Sequence, residues 1–126
     1  MEKSTLELVE PYDPILRQRM PEFDFQNPQL DPVTIYNLLG QKMIEENGLG
    51  LAANQVGMPY RVFVMTGEEV LGCFNPKIVD FSDEQIYLEE GCLSYPGLTV
   101  KIKRPREIRT RFTLPNGEIK IGRAHV

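Results

Sequence analysis

Asp31-Pro32-Val33-Thr34-Ile35-Tyr36-Asn37-Leu38-Leu39-Gly40-Gln41-Lys42-Met43-Ile44-Glu45-Glu46-Asn47-Gly48 is the one long helical pattern in the chain, and it decides the fold class. Asp31 offers a carboxylate as N-cap, and Pro32 carries the fixed φ that suits a first helical position. Ile35, Tyr36, Leu39, Met43 and Ile44 recur at helical spacing, which predicts an amphipathic helix running through Glu46. Asn47-Gly48 is the stop, because both residue types tolerate the left-handed backbone that closes a helix.

Downstream the apolar period changes to that of strands. Arg61–Met65 is β-branched and aromatic, and Gly67 breaks it. Val70–Phe74 and Lys77–Phe81 predict two strands flanking Asn75-Pro76. Gln85–Leu88 leads into Glu90-Gly91-Cys92, and Leu98–Lys103 alternates apolar and basic residues as a half-buried strand does. Glu107–Thr113 and Glu118–Ile121 flank Leu114-Pro115-Asn116-Gly117, where Asn-Gly signals a hairpin. Upstream, the proline-bearing stretch 1–31 predicts irregular backbone tied down by Leu6, Leu8, Ile15, Leu16 and Phe23. The expected fold class is α+β, one long N-terminal helix followed by mostly antiparallel strands, in a single domain spanning residues 1–126.

The charge balance of 14 basic against 18 acidic residues gives a formal charge of −4, which argues against nucleic acid as the main partner. Lys101, Lys103, Arg104, Arg106, Arg109 and Arg111 do cluster, but they alternate with apolar residues and read as the solvated face of strands. No apolar run is long enough to cross a bilayer, and Met1–Glu10 has no signal-peptide core, so a cytoplasmic location is expected. Cys73 and Cys92 do not make a disulfide framework; each can be a core residue, a metal ligand or a nucleophile. His125 is the only histidine, whereas most zinc or iron sites take two or more imidazoles.

Two segments carry chemistry. In Gly48-Leu49-Gly50-Leu51-Ala52-Ala53-Asn54-Gln55-Val56-Gly57 the small residues permit close approach of backbone to another chain. Gln55 offers an amide that can donate to a carbonyl oxygen and its developing negative charge. The same stretch also fits a helix C-cap followed by a tightly packed turn. In Glu89-Glu90-Gly91-Cys92-Leu93-Ser94-Tyr95-Pro96-Gly97 a cysteine sits between a glycine and a turn, where it can serve as thiolate ligand or nucleophile. It also fits a small buried hydrophobe.

Taken together, in this order and at this separation, the two segments resemble the peptide deformylases. That family carries Gly-x-Gly-Leu-Ala-Ala-x-Gln, here Gly48 to Gln55, then Glu-Gly-Cys-Leu-Ser, here Glu90 to Ser94. Asp13-Pro14-Ile15-Leu16, Asn75-Pro76 and Tyr95-Pro96-Gly97 agree as flanks. The resemblance implies metal-dependent hydrolysis of the N-formyl group from N-formylmethionyl nascent peptides, with release of formate. It implies Cys92 as a metal ligand beside two histidines, and a divalent metal, Fe2+ by expectation, with zinc, nickel or cobalt as substitutes. It implies Gln55 and the backbone N–H of Leu93 as oxyanion donors. Gly48, Gly50, Leu51, Glu90 and Gly91 fall at substrate-binding positions, with Gly50 bonding the substrate backbone and Glu90 positioning its loop, through a basic partner such as Arg104.

The family's third motif, Gln-His-Glu-x-Asp-His, has no counterpart in these residues. The chain runs Ile119-Lys120-Ile121-Gly122-Arg123-Ala124-His125-Val126, with neither a glutamate after His125 nor a second histidine. The expectation is a domain incomplete at its C-terminus, lacking the metal-binding helix, with weak metal binding and negligible activity of the 126-residue chain alone. Strand side chains that such a helix would cover should face an exposed groove, which favours self-association. The expected partners are formylmethionyl peptides and nascent chains at the ribosome, with no membrane. Two alternatives stay open: a non-catalytic module that binds formyl-Met peptides, and a thiol enzyme using Cys92, for which His125 is the only imidazole base.

Overall fold

The computed structural model describes residues 6–92 and 95–125, and for 88–92, 95–102 and 125 it describes the backbone alone. Pro32–Glu45 forms the helix, α1. The Asp31 carboxylate accepts from the Thr34 N–H at 3.1 Å, so one orphan donor of the first turn is satisfied. At the other end Asn47 adopts φ 55° and the Gly48 N–H donates to the Met43 carbonyl at 3.0 Å. Ile35, Leu39, Gly40 and Met43 form the buried stripe.

Seven strands follow among the described residues: β1 (Gly50–Ala52), β2 (Val62–Met65), β3 (Leu71–Phe81), β4 (Gln85–Cys92), β5 (Tyr95–Pro105), β6 (Glu107–Thr113) and β7 (Ile119–His125). They make a five-stranded antiparallel sheet in the order β1-β2-β3-β6-β7 and a separate β4-β5 pair. This is the α+β architecture expected from the sequence. Helix α1 packs on β1 and β2, and its Ile35, Leu39 and Met43 meet Leu51, Val62, Val64 and Phe74 in the core. Each such large apolar side chain, taken out of water, stabilises the fold by roughly 1.5–3 kcal/mol.

The N-terminal segment closes this core. It contains a short 3-10 turn, Pro14–Arg17, begun by the Asp13 carboxylate accepting from the Ile15 N–H at 3.0 Å. Phe23 is buried and stacks edge-on against Phe74, ring centres 5.1 Å apart, and against Phe25 at 5.0 Å. Leu6 and Leu8 pack on the same cluster.

Asn75-Pro76 does not separate two strands, as the sequence pattern predicts; β3 runs through it. Pairing with β6 slips between Phe74 and Lys77, the mark of a bulge. A bulge is where proline fits inside a sheet, because a missing N–H costs no ladder bond there. Asn75 takes φ 52°, which asparagine tolerates better than most residues. Its side chain acts as a two-pronged clamp: Oδ1 accepts from the Phe23 N–H at 2.6 Å, and Nδ2 donates to the Phe23 carbonyl at 2.9 Å.

At Gly72 a Cβ would lie 2.6 Å from Cδ1 of Tyr36 and 3.1 Å from Cγ of Pro115, so helix, central strand and the β6–β7 turn meet with no room for a side chain. The Tyr36 hydroxyl donates to the Val70 carbonyl in the same place. The β6–β7 turn is the hairpin that Asn116-Gly117 signals, with Gly117 at φ 89° and the Leu114 N–H bonded to the Glu118 carbonyl at 2.8 Å. Of the basic cluster, Lys103, Arg104, Arg106, Arg109 and Arg111 are exposed, and Arg106 pairs with Glu84 at 3.1 Å; the Lys101 side chain lies outside the described residues.

Candidate active site

The site begins with an edge. Strand β1 ends the sheet and pairs only with β2 among the described residues, Gly50 opposite Met65 and Leu51 opposite Val64. The Thr66 N–H donates to the Leu49 carbonyl at 3.0 Å. Antiparallel ladders alternate, so Leu49 and Leu51 turn their N–H and C=O groups toward β2, while Gly50 and Ala52 turn theirs to the open side. The Leu51 side chain is 2% exposed and belongs to the core, so only its backbone borders this edge. Leu49, by contrast, is 82% exposed. Gly48, next along the chain before Leu49, bonds its N–H in the helix stop described above.

Gln55 lies on the second 3-10 turn, Ala53–Val56, directly after β1. Its side-chain carbonyl accepts from the outward N–H of Ala52 at 2.9 Å. With the oxygen fixed in this way, the Nε2 end of the carboxamide is the end turned away from Ala52. The pattern is half of a capping box, a glutamine at N3 reaching back to the N-cap backbone.

The turn is anchored by the N-terminal segment. The Val9 N–H donates to the Gln55 carbonyl at 2.9 Å, and the Asn54 side chain donates to the Ile15 carbonyl at 3.2 Å. Gly57, at φ 80°, ends the turn.

The second segment lies on the β4-β5 pair. Gly91 stands opposite Thr99, Glu90 opposite Val100, and the register shifts between Gly91 and Cys92, which pairs with Tyr95. Leu93 and Ser94 lie outside the described residues, as do the side chains of Glu90 and Cys92. Arg104 pairs with Ile86, four positions along β4 from Glu90, or about 13 Å of strand. Cys73, the other cysteine, is a buried core residue opposite Phe63, and burial pushes its thiol up to about 11.

Among the described residues no group of three or more His, Cys, Asp or Glu side chains is placed to hold a metal ion. The sequence itself offers Cys92 and a single imidazole, short of one cysteine and two histidines. The residues present do not by themselves make up that ligand set.

The comparisons with known proteins point one way. The family model for polypeptide deformylase matches residues 5–125. The peptide deformylase of Caldanaerobacter subterraneus subsp. tengcongensis is 38% identical over 109 residues, covering 86% of this chain and 67% of that protein. That of Natranaerobius thermophilus is 40% identical over 108 residues, covering 84% and 68%. The chain thus spans about two thirds of the length of these relatives, and 64% of the Thermotoga petrophila protein. The structure superposes on the crystal structure of Thermotoga maritima peptide deformylase with a TM-score of 0.90 at 28% identity, over 100% of this chain and 84% of that one. With the Synechococcus elongatus enzyme, solved in complex with actinonin, the TM-score is 0.88 at 29% identity, over 100% and 69%. A family model that matches residues 5–125, together with relatives 38% and 40% identical, places this chain in the peptide deformylase family of hydrolases.

Proposed function

We propose that this chain supplies the peptide-binding edge and the oxyanion donors of an enzyme that removes the N-formyl group from N-formylmethionyl peptides and releases formate. The observation that carries the reading is the pairing of an outward-facing Gly50 with a Gln55 carboxamide locked beside it. A substrate peptide adds as a strand along β1, bonding the Gly50 N–H and C=O. Nε2 of Gln55 and the backbone N–H of Leu93 then donate to the formyl oxygen as it gains negative charge. Such donors matter most in the transition state, and losing one typically costs about a hundred- to a thousandfold in kcat.

Gly48 and Gly91 keep the backbone on either side of the substrate close, and Glu90 positions the strand end. Cys92 contributes a thiolate to a divalent metal site, Fe2+ in this reading, whose histidines and general base these residues do not include. The partners are formylmethionyl peptides and nascent chains at the ribosome, in the cytosol. No helix among the described residues is long and apolar enough to cross a membrane.

Formyl-Met peptides titrated onto the 126-residue chain, with Fe2+ or Ni2+ present and formate measured, test this. The expected outcome is binding without formate release. Methylating the peptide N–H that faces Gly50 should abolish that binding. Equal binding of the methylated peptide sinks the edge-strand assignment, and robust turnover sinks the account of Cys92 and its missing co-ligands. Self-association belongs to the same reading: Ile78 and Phe81, 56% and 62% exposed, offer an apolar surface on β3. Sedimentation across a concentration series checks it, with a concentration-independent monomer as the contrary result.

A further inference from the structure

Asn54 occupies the unassigned position of the Gly-x-Gly-Leu-Ala-Ala-x-Gln segment, and its surroundings give it a task. Gln55 follows it directly, on a turn of only four residues, Ala53–Val56. A turn that short has little internal bonding to fix its tilt against the sheet. Two bonds from the N-terminal segment do so instead. The Asn54 Nδ2 donates to the Ile15 carbonyl at 3.2 Å, and the Val9 N–H donates to the Gln55 carbonyl at 2.9 Å. Ile15 is itself fixed, because the Asp13 carboxylate accepts from its N–H at 3.0 Å. One bond grips the turn by a side chain and the other by its backbone.

We infer that Asn54 is a positioning residue for Gln55. It ties the turn to the Pro14–Arg17 segment so that the Gln55 side-chain carbonyl stays on the Ala52 N–H and the carboxamide keeps one orientation. The inference rests on the proposed role of Gln55 as oxyanion donor, but its test reads geometry and does not depend on turnover. Without the Asn54 tether the turn keeps its buried Ala53 and Val56 side chains and the Val9 bond but loses its side-chain grip on the Pro14–Arg17 segment, and the 2.9 Å contact between Ala52 and Gln55 is the first to open. Other amides of the sheet keep their partners.

Asn54→Ala and Asn54→Asp both remove the donor, the second at nearly constant shape. In each, the hydrogen-exchange rate of the Ala52 amide should rise about tenfold or more, as expected for a bond that opens locally. The Gln55 carboxamide resonances should move toward unstructured values, while exchange at Val64 and Phe74 changes by less than about twofold. Asn54→Gln, which keeps an amide donor on a longer stem, should recover part of the Ala52 protection. An unchanged Ala52 amide overturns the inference, and so does a rise of the same factor at Ala52, Val64 and Phe74, since that is loss of general stability. If the variants do not fold, the unaltered chain decides. Scalar coupling across the bond from Asn54 Nδ2 to the Ile15 carbonyl, and from the Ala52 N–H to the Gln55 carboxamide, is expected, and absence of either overturns the inference. Loss of peptide binding with both couplings intact would instead overturn the function proposed above.

Discussion

Phe74 and Phe81 stand on the same strand in opposite surroundings: the first is fully buried and the second is 62% exposed. Between them lies the bulge at Asn75-Pro76. Before it, β3 is lined by β2, covered by α1 and closed by Phe23 from the N-terminal segment. After it, Ile78, Val79 and Phe81 face solvent, as do Ile119 and Ile121 on β7. The same residue type, in the same sheet, is core in one half and surface in the other. Burial is decided by which element reaches a strand, and among the described residues a helix lies over the first half alone.

The sharpest way to break this contrast is truncation at each end of it. Phe74→Ala should cost about 3–5 kcal/mol in denaturant unfolding, and Phe81→Ala less than about 0.5 kcal/mol. Equal costs would mean that the outer half is covered in solution. The bulge itself comes next. Asn75→Ala loses two bonds to Phe23 and replaces asparagine, which tolerates φ 52°, by a residue that tolerates it less well, for a sum of about 3 kcal/mol. Asn75→Gly should recover about 1 kcal/mol of that, the backbone share.

Cys73 sharpens the comparison through pH. Its thiol titrates near 9 when unfolded and near 11 in the buried core, so the folded state holds its proton longer. The stability it lends is complete below pH 9 and declines as pH rises from 9 to 11, by about 2 kcal/mol. Unfolding followed across that range should show the decline in the parent chain and a flatter profile in Cys73→Ala. The smallest effect belongs to the solvent side of the packed half. Lys42 and Glu46 pair at 2.8 Å one helical turn apart, and the Glu46 bond raises the Lys42 pKa. Glu46→Gln should cost about 0.4 kcal/mol at low salt and less at high salt.

Much of the packed half was legible. The Asp31 cap, the stripe through Ile35, Leu39 and Met43 and the Asn47-Gly48 stop are local signals, and the structure realises them with the helix ending at Glu45. The Asn116-Gly117 hairpin is local too. What escaped depends on distant partners. Asn75-Pro76 has the composition of a break, and only its clamp on Phe23 lets β3 pass through. Strands β4 and β5 extend beyond Gln85–Leu88 and Leu98–Lys103 because their mutual ladder carries residues with no alternation of their own. In the candidate site, Gln55 and Gly50 could be picked out by motif. That the Leu51 side chain is core, and that Asn54 and Val9 hold the turn, follow from contacts with segments far off in the chain.

Gly72 carries a consequence for how this sequence can drift. The Tyr36 ring fills the space that an alanine methyl at 72 would need, and Pro115 closes the other side. Any replacement at 72 forces that ring to shift. Shrinking position 36 first would open the way, at the loss of the bond its hydroxyl makes to Val70. In any set of working descendants the two positions should therefore be inherited as a pair, a small residue at one permitting bulk at the other. A selection experiment that randomises both codons would reveal that dependence as a forbidden quadrant.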